Sequence, residues 1–266
     1  MRTVRLVVEY DGTHFSGWQA QGGSPVRTIQ GALENVLSIV LGESIVLGVA
    51  GRTDAGVHAS GQVASFQTSS PLPLWQLARA LAGLLPPDVA ARSLAVVPDE
   101  FHARFAAVER RYVYRLLDAP AALTSRHAWW PWMRIDPEAM TAAFRPLLGE
   151  HDFRAFAGRD PKSRPPGHGR CRVTRLTFTR WERGVQLEAN ANRFLYHMVR
   201  NLVGTATSIN KGTRGAEDLA TILASQDRRR AGPTAPPVGL TLEGVGYPER
   251  FAPIGEYVDG WGRNLA

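Results

Sequence analysis

A single cysteine, Cys171, in 266 residues excludes an internal disulfide framework and any zinc site built on thiolates, and it fits a reducing compartment. Lysine is nearly as scarce, with Lys162 and Lys211 standing alone among 31 basic residues. No run of about eighteen apolar residues occurs, because the richest stretch, 36–50, is broken by Gly42, Glu43 and Ser44. The first eleven residues carry Arg2, Arg5, Glu9 and Asp11 within a strand-like pattern, unlike a signal peptide or an anchor, so a cytoplasmic protein without a membrane partner is expected. Phosphate-cradling Gly-x-x-x-x-Gly-Lys, the dinucleotide Gly-x-Gly-x-x-Gly after a strand and the hydrolase Gly-x-Ser-x-Gly are all missing. Nucleotide cofactors and serine-hydrolase chemistry therefore lack support. The histidines, His14, His58, His102, His127, His151, His168 and His197, show no compact ligand spacing, and no metal is expected.

What the chain does have is positive charge: +7 at neutral pH, with an isoelectric point near 10.1. An excess of that size points to a polyanionic partner. The preference for arginine over lysine is neutral evidence, since GC-rich coding alone produces it. Hydrophobic residues make up 44% of the chain, enough at this length for one large core or two modest ones.

Hydrophobic periodicity predicts strands over 4–10, 44–49, 62–68, 92–97 and 110–117, with helices over 28–41 and 74–85. Further on it predicts a helix over 136–148, a hairpin of 174–180 with 185–190 turning at Glu182-Arg183-Gly184, a long helix over 193–209, a helix over 216–225 and a last strand over 239–246. Strands and helices interleave as in an α+β sheet protein, and their order hints at two similar halves. A hinge at 119–124 would divide residues 1–118 from 119–266. Segment 159–170, rich in Pro, Gly and basic residues, has the composition of a surface loop able to touch nucleic acid.

Three constellations carry chemistry. In Gly51-Arg-Thr-Asp-Ala-Gly-Val-His58, a carboxylate, Asp54, stands between the cation of Arg52 and the imidazole of His58, in a segment that Gly51 and Gly56 allow to bend. A nearby cation favours the charged carboxylate, which suits a nucleophile or base and not a general acid. Thr-Asp-Ala-Gly is equally a sound loop sequence in which Asp serves the backbone. Second, in Arg110-Arg-Tyr-Val-Tyr-Arg115, strand alternation puts Tyr112 and Tyr114 on one face and Arg111 and Arg115 on the other. Third, in a helix from Arg193, residues Phe194, Leu195, Met198, Leu202 and Val203 form an apolar stripe that leaves Arg193, His197 and Arg200 together opposite it.

Together these segments resemble the tRNA pseudouridine synthase A (TruA) family along nearly the whole chain. Tyr10-Asp-Gly-Thr-His-Phe-Ser-Gly-Trp-Gln19 is similar to its first motif, Thr28-Ile-Gln-Gly31 to its following helix start, and Gly51–Ala59 to its catalytic motif. Phe101-His-Ala-Arg-Phe105, Arg111–Tyr114, Leu148-Gly-Glu-His-Asp-Phe153 and Phe194–Gly204 follow in family order. The resemblance implies two similar α/β domains with mostly antiparallel sheets flanking a basic RNA-binding cleft. It implies Asp54 as the catalytic aspartate, Tyr112 as the ring that packs on the target base and Arg200 as the aspartate's basic partner. Arg52 would take the space of a flipped uridine or grip its phosphate, and His58, Arg110, Arg111, Arg193, His197 and Arg228 are further candidate substrate contacts. Family members act as homodimers on uridines of the tRNA anticodon stem-loop, with no metal or organic cofactor. Pro236-Pro237 departs from the family pattern, where a small residue is usual before Gly239-Leu240. A non-catalytic RNA-binding or RNA-chaperone protein on the same fold is the alternative.

Overall fold

The computed structural model describes residues 1–20, 26–158, 169–213, 215 and 218–265. They form two compact units, one from Met1–Val108 with Leu242–Ala266, the other from Glu109–Thr241. The division differs from the expected hinge at 119–124. Strand pairing decides it: the strand after Val108 pairs with later strands, and the chain returns to the first unit at its end.

In the first unit, β1 (Arg2–Tyr10) lies between β3 (His58–Thr68) and β4 (Val89–Val97), antiparallel to both. A two-residue strand, β2 (Gly48–Val49), also pairs with β3, while β9 (Leu240–Gly246) and β10 (Tyr257–Asp259) flank β3 and β4 respectively. Alternation along β1 turns Val4, Leu6 and Val8 to one face, fully buried, where Ile29, Leu33 and Leu37 of α1 (Ile29–Leu41) and Leu74, Leu77 and Leu81 of α2 (Leu74–Leu84) are also fully enclosed. Each such side chain contributes about 1.5–3 kcal/mol relative to exposure. Val7 points the other way, into a cluster of Val63, Ala95, Val97, Phe101 and Phe251. Thr28 caps α1 by accepting from Gly31 N–H, and Gly42 ends it with φ 70°.

In the second unit the strand order is β5 (Glu109–Leu117), β8 (Gly184–Ala191), β7 (Arg170–Trp181), β6 (Gly149–Asp152), each antiparallel to its neighbour. Helix α3 (Pro137–Phe144), capped by Asp136, packs Phe144 edge-on against Phe178 of β7 at 5.2 Å. Helix α4 (Met198–Asn210) is buried along most of its length, and α5 (Asp218–Ser225) follows it. Among the described residues, no helix is long and apolar enough to cross a membrane.

Four expectations need correction. The stretch 44–49 is strand only at its last two residues. The helix expected over 136–148 ends at Phe144 and gives way to a tight turn, Arg145–Leu147, with Pro146 at its centre. The helix expected from Arg193 begins at Met198, because His197 has φ 58°, a left-handed conformation that no helix interior tolerates. Arg193, His197 and Arg200 therefore do not share a helical face. Strands β6 and β10 went unanticipated, and of the 159–170 loop residues 159–168 lie outside the described residues.

Candidate active site

Asp54 lies in the loop between β2 and β3, and that loop is built jointly with segment 10–18. Trp18 N–H donates to Thr53 O at 3.0 Å, Gly56 N–H to Phe15 O at 3.4 Å, and Gly12 N–H to the imidazole Nδ1 of His58 at 3.1 Å. The backbones approach so closely that a Cβ on Gly12 would stand 2.0 Å from Val57 O, and one on Gly17, whose φ is 88°, 2.7 Å from Thr53 O. Gly56 closes the turn at φ 76°, and Val57 N–H returns to Asp54 O at 3.2 Å. The two sequence motifs are thus two halves of one structural element.

Beneath the loop runs a buried polar chain. Gln62 Nε2 donates to Gly51 O at 2.8 Å and to the Tyr10 phenol at 3.3 Å, and Tyr10 shares a 2.7 Å hydrogen bond with the Thr53 hydroxyl. Burial pushes the Tyr10 phenol up to about 12, so it stays neutral at physiological pH. Pairing β1 with β3 demands a bulge here: Val8 faces Gln62 but Tyr10 faces Ala59, which leaves one extra residue on β3 beside the loop. Asp54 emerges half-buried from this frame and Arg52 is exposed.

His58 is almost fully buried, and its Nδ1 lies 3.1 Å from both Gly12 N and Asp11 Oδ1. A ring nitrogen carries either a lone pair or a proton. Unprotonated, Nδ1 accepts from Gly12; protonated, it donates to Asp11. In both forms the ring ties the end of the Asp54 loop to the 11–12 turn, so that His58 braces the loop.

The candidates of the second unit divide sharply. Tyr112 is buried with its ring edge-on to Phe194 at 5.2 Å, whereas Tyr114 is fully enclosed and donates its hydroxyl to Pro236 O at 2.8 Å. Burial raises the Tyr114 phenol, with the charge of Arg200 opposing the rise. Val113 between them is buried too, so β5 is covered on both faces and only Arg111 is exposed. Arg110 donates to Asn192 O at 2.6 Å, Arg193 is exposed, and His197 stacks on Tyr196 at 3.8 Å. Arg200 stands in the first turn of α4 and donates Nε–H to Ala235 O at 2.8 Å. Arg228 donates to Gly232 O, Asn201 Oδ1 and Thr234 Oγ1 at 2.8, 2.8 and 3.1 Å. Burial pushes the Cys171 thiol up to about 11, which makes it a poor nucleophile.

Sequence reasoning missed Tyr10, Thr53, Gln62, Asn201 and Thr234. A signal existed for two of them: Gln62 interrupts an apolar strand, and Asn201 stands in the apolar stretch of α4, both at 0% exposure.

A family model described as tRNA pseudouridine synthase matches residues 6–106 and 143–248. The tRNA pseudouridine synthase A of Paramagnetospirillum magneticum is 41% identical over 93% of this chain and 96% of its own. That of Myxococcus xanthus is 43% identical over 93% and 92%, and that of a Geobacter species 39% identical over 94% and 100%.

Proposed function

The chain belongs to the tRNA pseudouridine synthase family, an isomerase family acting on uridine in tRNA, and from that premise we propose that Asp54 is the group that acts at the sugar. Isomerisation breaks the bond from N1 to C1′, turns the base, joins C5 to C1′ and releases the C5 proton to solvent. Nothing is oxidised or hydrolysed. The reaction needs an anionic group near C1′, to attack that carbon or to take a sugar proton, and a surface that retains the detached uracil.

The observation that carries this reading is the seating of the Asp54 loop. The residue before the carboxylate is held by Trp18 N–H and the Tyr10 phenol, while Asp54 itself remains half-buried and reachable. Such a frame fixes a reacting group before substrate arrives. Tyr112 is the ring that stacks on the target base and excludes water from it, and Arg200 is the cation that offsets the carboxylate's charge during the reaction. Arg52, exposed two residues before Asp54, grips a phosphate or fills the place of the flipped nucleotide. Arg110, Arg111, Arg193 and His197 contribute to holding the RNA. Motif resemblance also supports a homodimer acting on the anticodon stem-loop without a metal or organic cofactor, and the charged strand-like start and single cysteine support a cytoplasmic location.

Tritium release to water from tRNA labelled at uridine C5 tests the assignment. Wild-type protein releases label, and Asp54→Asn releases none while retaining tRNA affinity. Release by the variant would remove Asp54 from the chemistry. Absence of release by both, with tight tRNA binding, would favour the non-catalytic RNA-binding alternative.

A further inference from the structure

Arg200 and Ala235 are tied reciprocally: Arg200 Nε–H donates to Ala235 O at 2.8 Å, and Ala235 N–H donates to Arg200 O at 3.1 Å. The direction of the guanidinium thus depends on where Ala235 stands. Ala235 belongs to a segment laid across α4 so closely that a Cβ on Gly204 would fall 1.6 Å from Pro233 O. Gly232 N–H donates to Thr205 Oγ1 at 2.9 Å, and Pro236 O receives the Tyr114 hydroxyl.

The clamp on this segment is Arg228. Its Nη1 donates to Gly232 O, and its Nη2 to Thr234 Oγ1 and to Asn201 Oδ1. Thr234 in turn donates to the same Asn201 oxygen at 2.6 Å, and the Asn201 amide is fixed from behind by donating to Phe156 O at 2.7 Å. One planar fork thereby joins three acceptors, two on the segment and one on the helix, a task that a lysine's single ammonium on a flexible stem does not reproduce. Three of its five N–H groups are committed within the protein.

We propose that Arg228, through Asn201 and Thr234, is a positioning residue for the isomerisation: it fixes Ala235, whose carbonyl aims the Arg200 guanidinium, and it is not a phosphate contact. The proposal rests on the reading of Arg200 given above.

Single-turnover rates and tRNA dissociation constants across salt, measured on the full chain, test it. Arg228→Lys keeps the charge and loses the fork, and Thr234→Val keeps the shape and loses the hydroxyl, so that a folded variant is available if one of them fails. Each slows the single-turnover rate about 10- to 100-fold, as expected for a misplaced reacting group, with the dissociation constant and its salt slope unchanged. In an Arg200→Met background the same changes have less than about a twofold effect, since their target is gone. A normal rate for Arg228→Lys would overturn the proposal, as would Arg228→Met losing affinity with the log–log salt slope smaller by about 0.7–0.9, the mark of a lost phosphate contact. Effects that multiply independently in the double variant would also overturn it. If Arg200→Met itself reacts at the wild-type rate, the reading of Arg200 falls and this proposal with it. That result is distinct from a slow Arg200→Met beside a fast Arg228→Lys.

Discussion

The phenol of Tyr10 and the hydroxyl of Thr53 share a 2.7 Å hydrogen bond, which locks strand β1 to the residue immediately before Asp54. Gln62 donates to the same phenol, so removing that oxygen disturbs two buried partners at once.

Tyr10→Phe keeps the ring and deletes this junction. Leaving Thr53 and Gln62 short of a partner costs about 1–3 kcal/mol of stability, readable as a lower urea midpoint at constant slope. The single-turnover rate should fall as well, but by less than in Asp54→Asn. A rate equal to wild type would show that Asp54 holds its place without the buried chain.

Alkaline pH supplies a second measurement at the same residue. The phenol has a native value of about 12 against an ordinary value of 10.0. Between those two pH values the unfolded chain loses a proton that the native protein keeps, so stability falls as pH rises, by about 1.4 kcal/mol per pH unit. Below the ordinary value the contribution is fully present and flat. Denaturant titrations across this range should show a shallower loss of stability for Tyr10→Phe than for wild type. Equal slopes would mean that Tyr10 does not stay neutral in the native state.

Gly12→Ala is expected to damage the site without touching a reacting group. The added Cβ meets Val57 O at 2.0 Å, backbone against backbone, so the 10–18 and 51–58 segments must part. A stability loss of about 1–3 kcal/mol should accompany a large fall in turnover, visible by thermal melting beside the tritium assay. Gly83→Ala, in helix α2 where nothing lies within 4 Å of the new methyl, is the control, with turnover unchanged and melting equal to or slightly above wild type.

Cys171 should resist alkylation. Its thiol is buried and raised to about 11, so a maleimide at mildly alkaline pH should leave the native protein unmodified and label the unfolded chain to one equivalent by mass. Rapid native labelling would place the thiol at an opening in β7.

Local pattern carried much of this structure. The alternation of β1, the capped amphipathic α1 and the β7–β8 hairpin are each dictated by neighbours in sequence, and all were legible there. The bend that carries Asp54 was legible too, because tight-turn glycines are local signals, whereas the residue types there suit a backbone-serving loop as well and the role proposed for Asp54 comes from the motif resemblance. Where tertiary contacts decide, periodicity failed. Residues 193–197 have helical spacing, but the left-handed turn at His197 holds them outside α4. Tyr112 and Tyr114 are equivalent by alternation and differ in the fold, where Pro236, more than a hundred residues onward, receives the Tyr114 hydroxyl and Tyr112 sets its ring edge-on to Phe194. Arg228 resembled any exposed cation of a basic protein until Asn201 and Thr234 stood beside it.

The first unit is assembled from two stretches that the second unit separates in sequence, with β9 set beside β3 and β10 beside β4. A ribosome therefore releases the Asp54 loop long before the strands that flank its sheet on either side. Residues 109–241, by contrast, emerge as one uninterrupted stretch that brings β5, β6, β7 and β8 together first. Throughout that interval β3 lacks its β9 neighbour and β4 its β10 neighbour, and unpaired strand edge is the feature that makes unfinished sheets aggregate. Chaperone demand during synthesis should therefore peak before residues 242–266 appear and fall once they do.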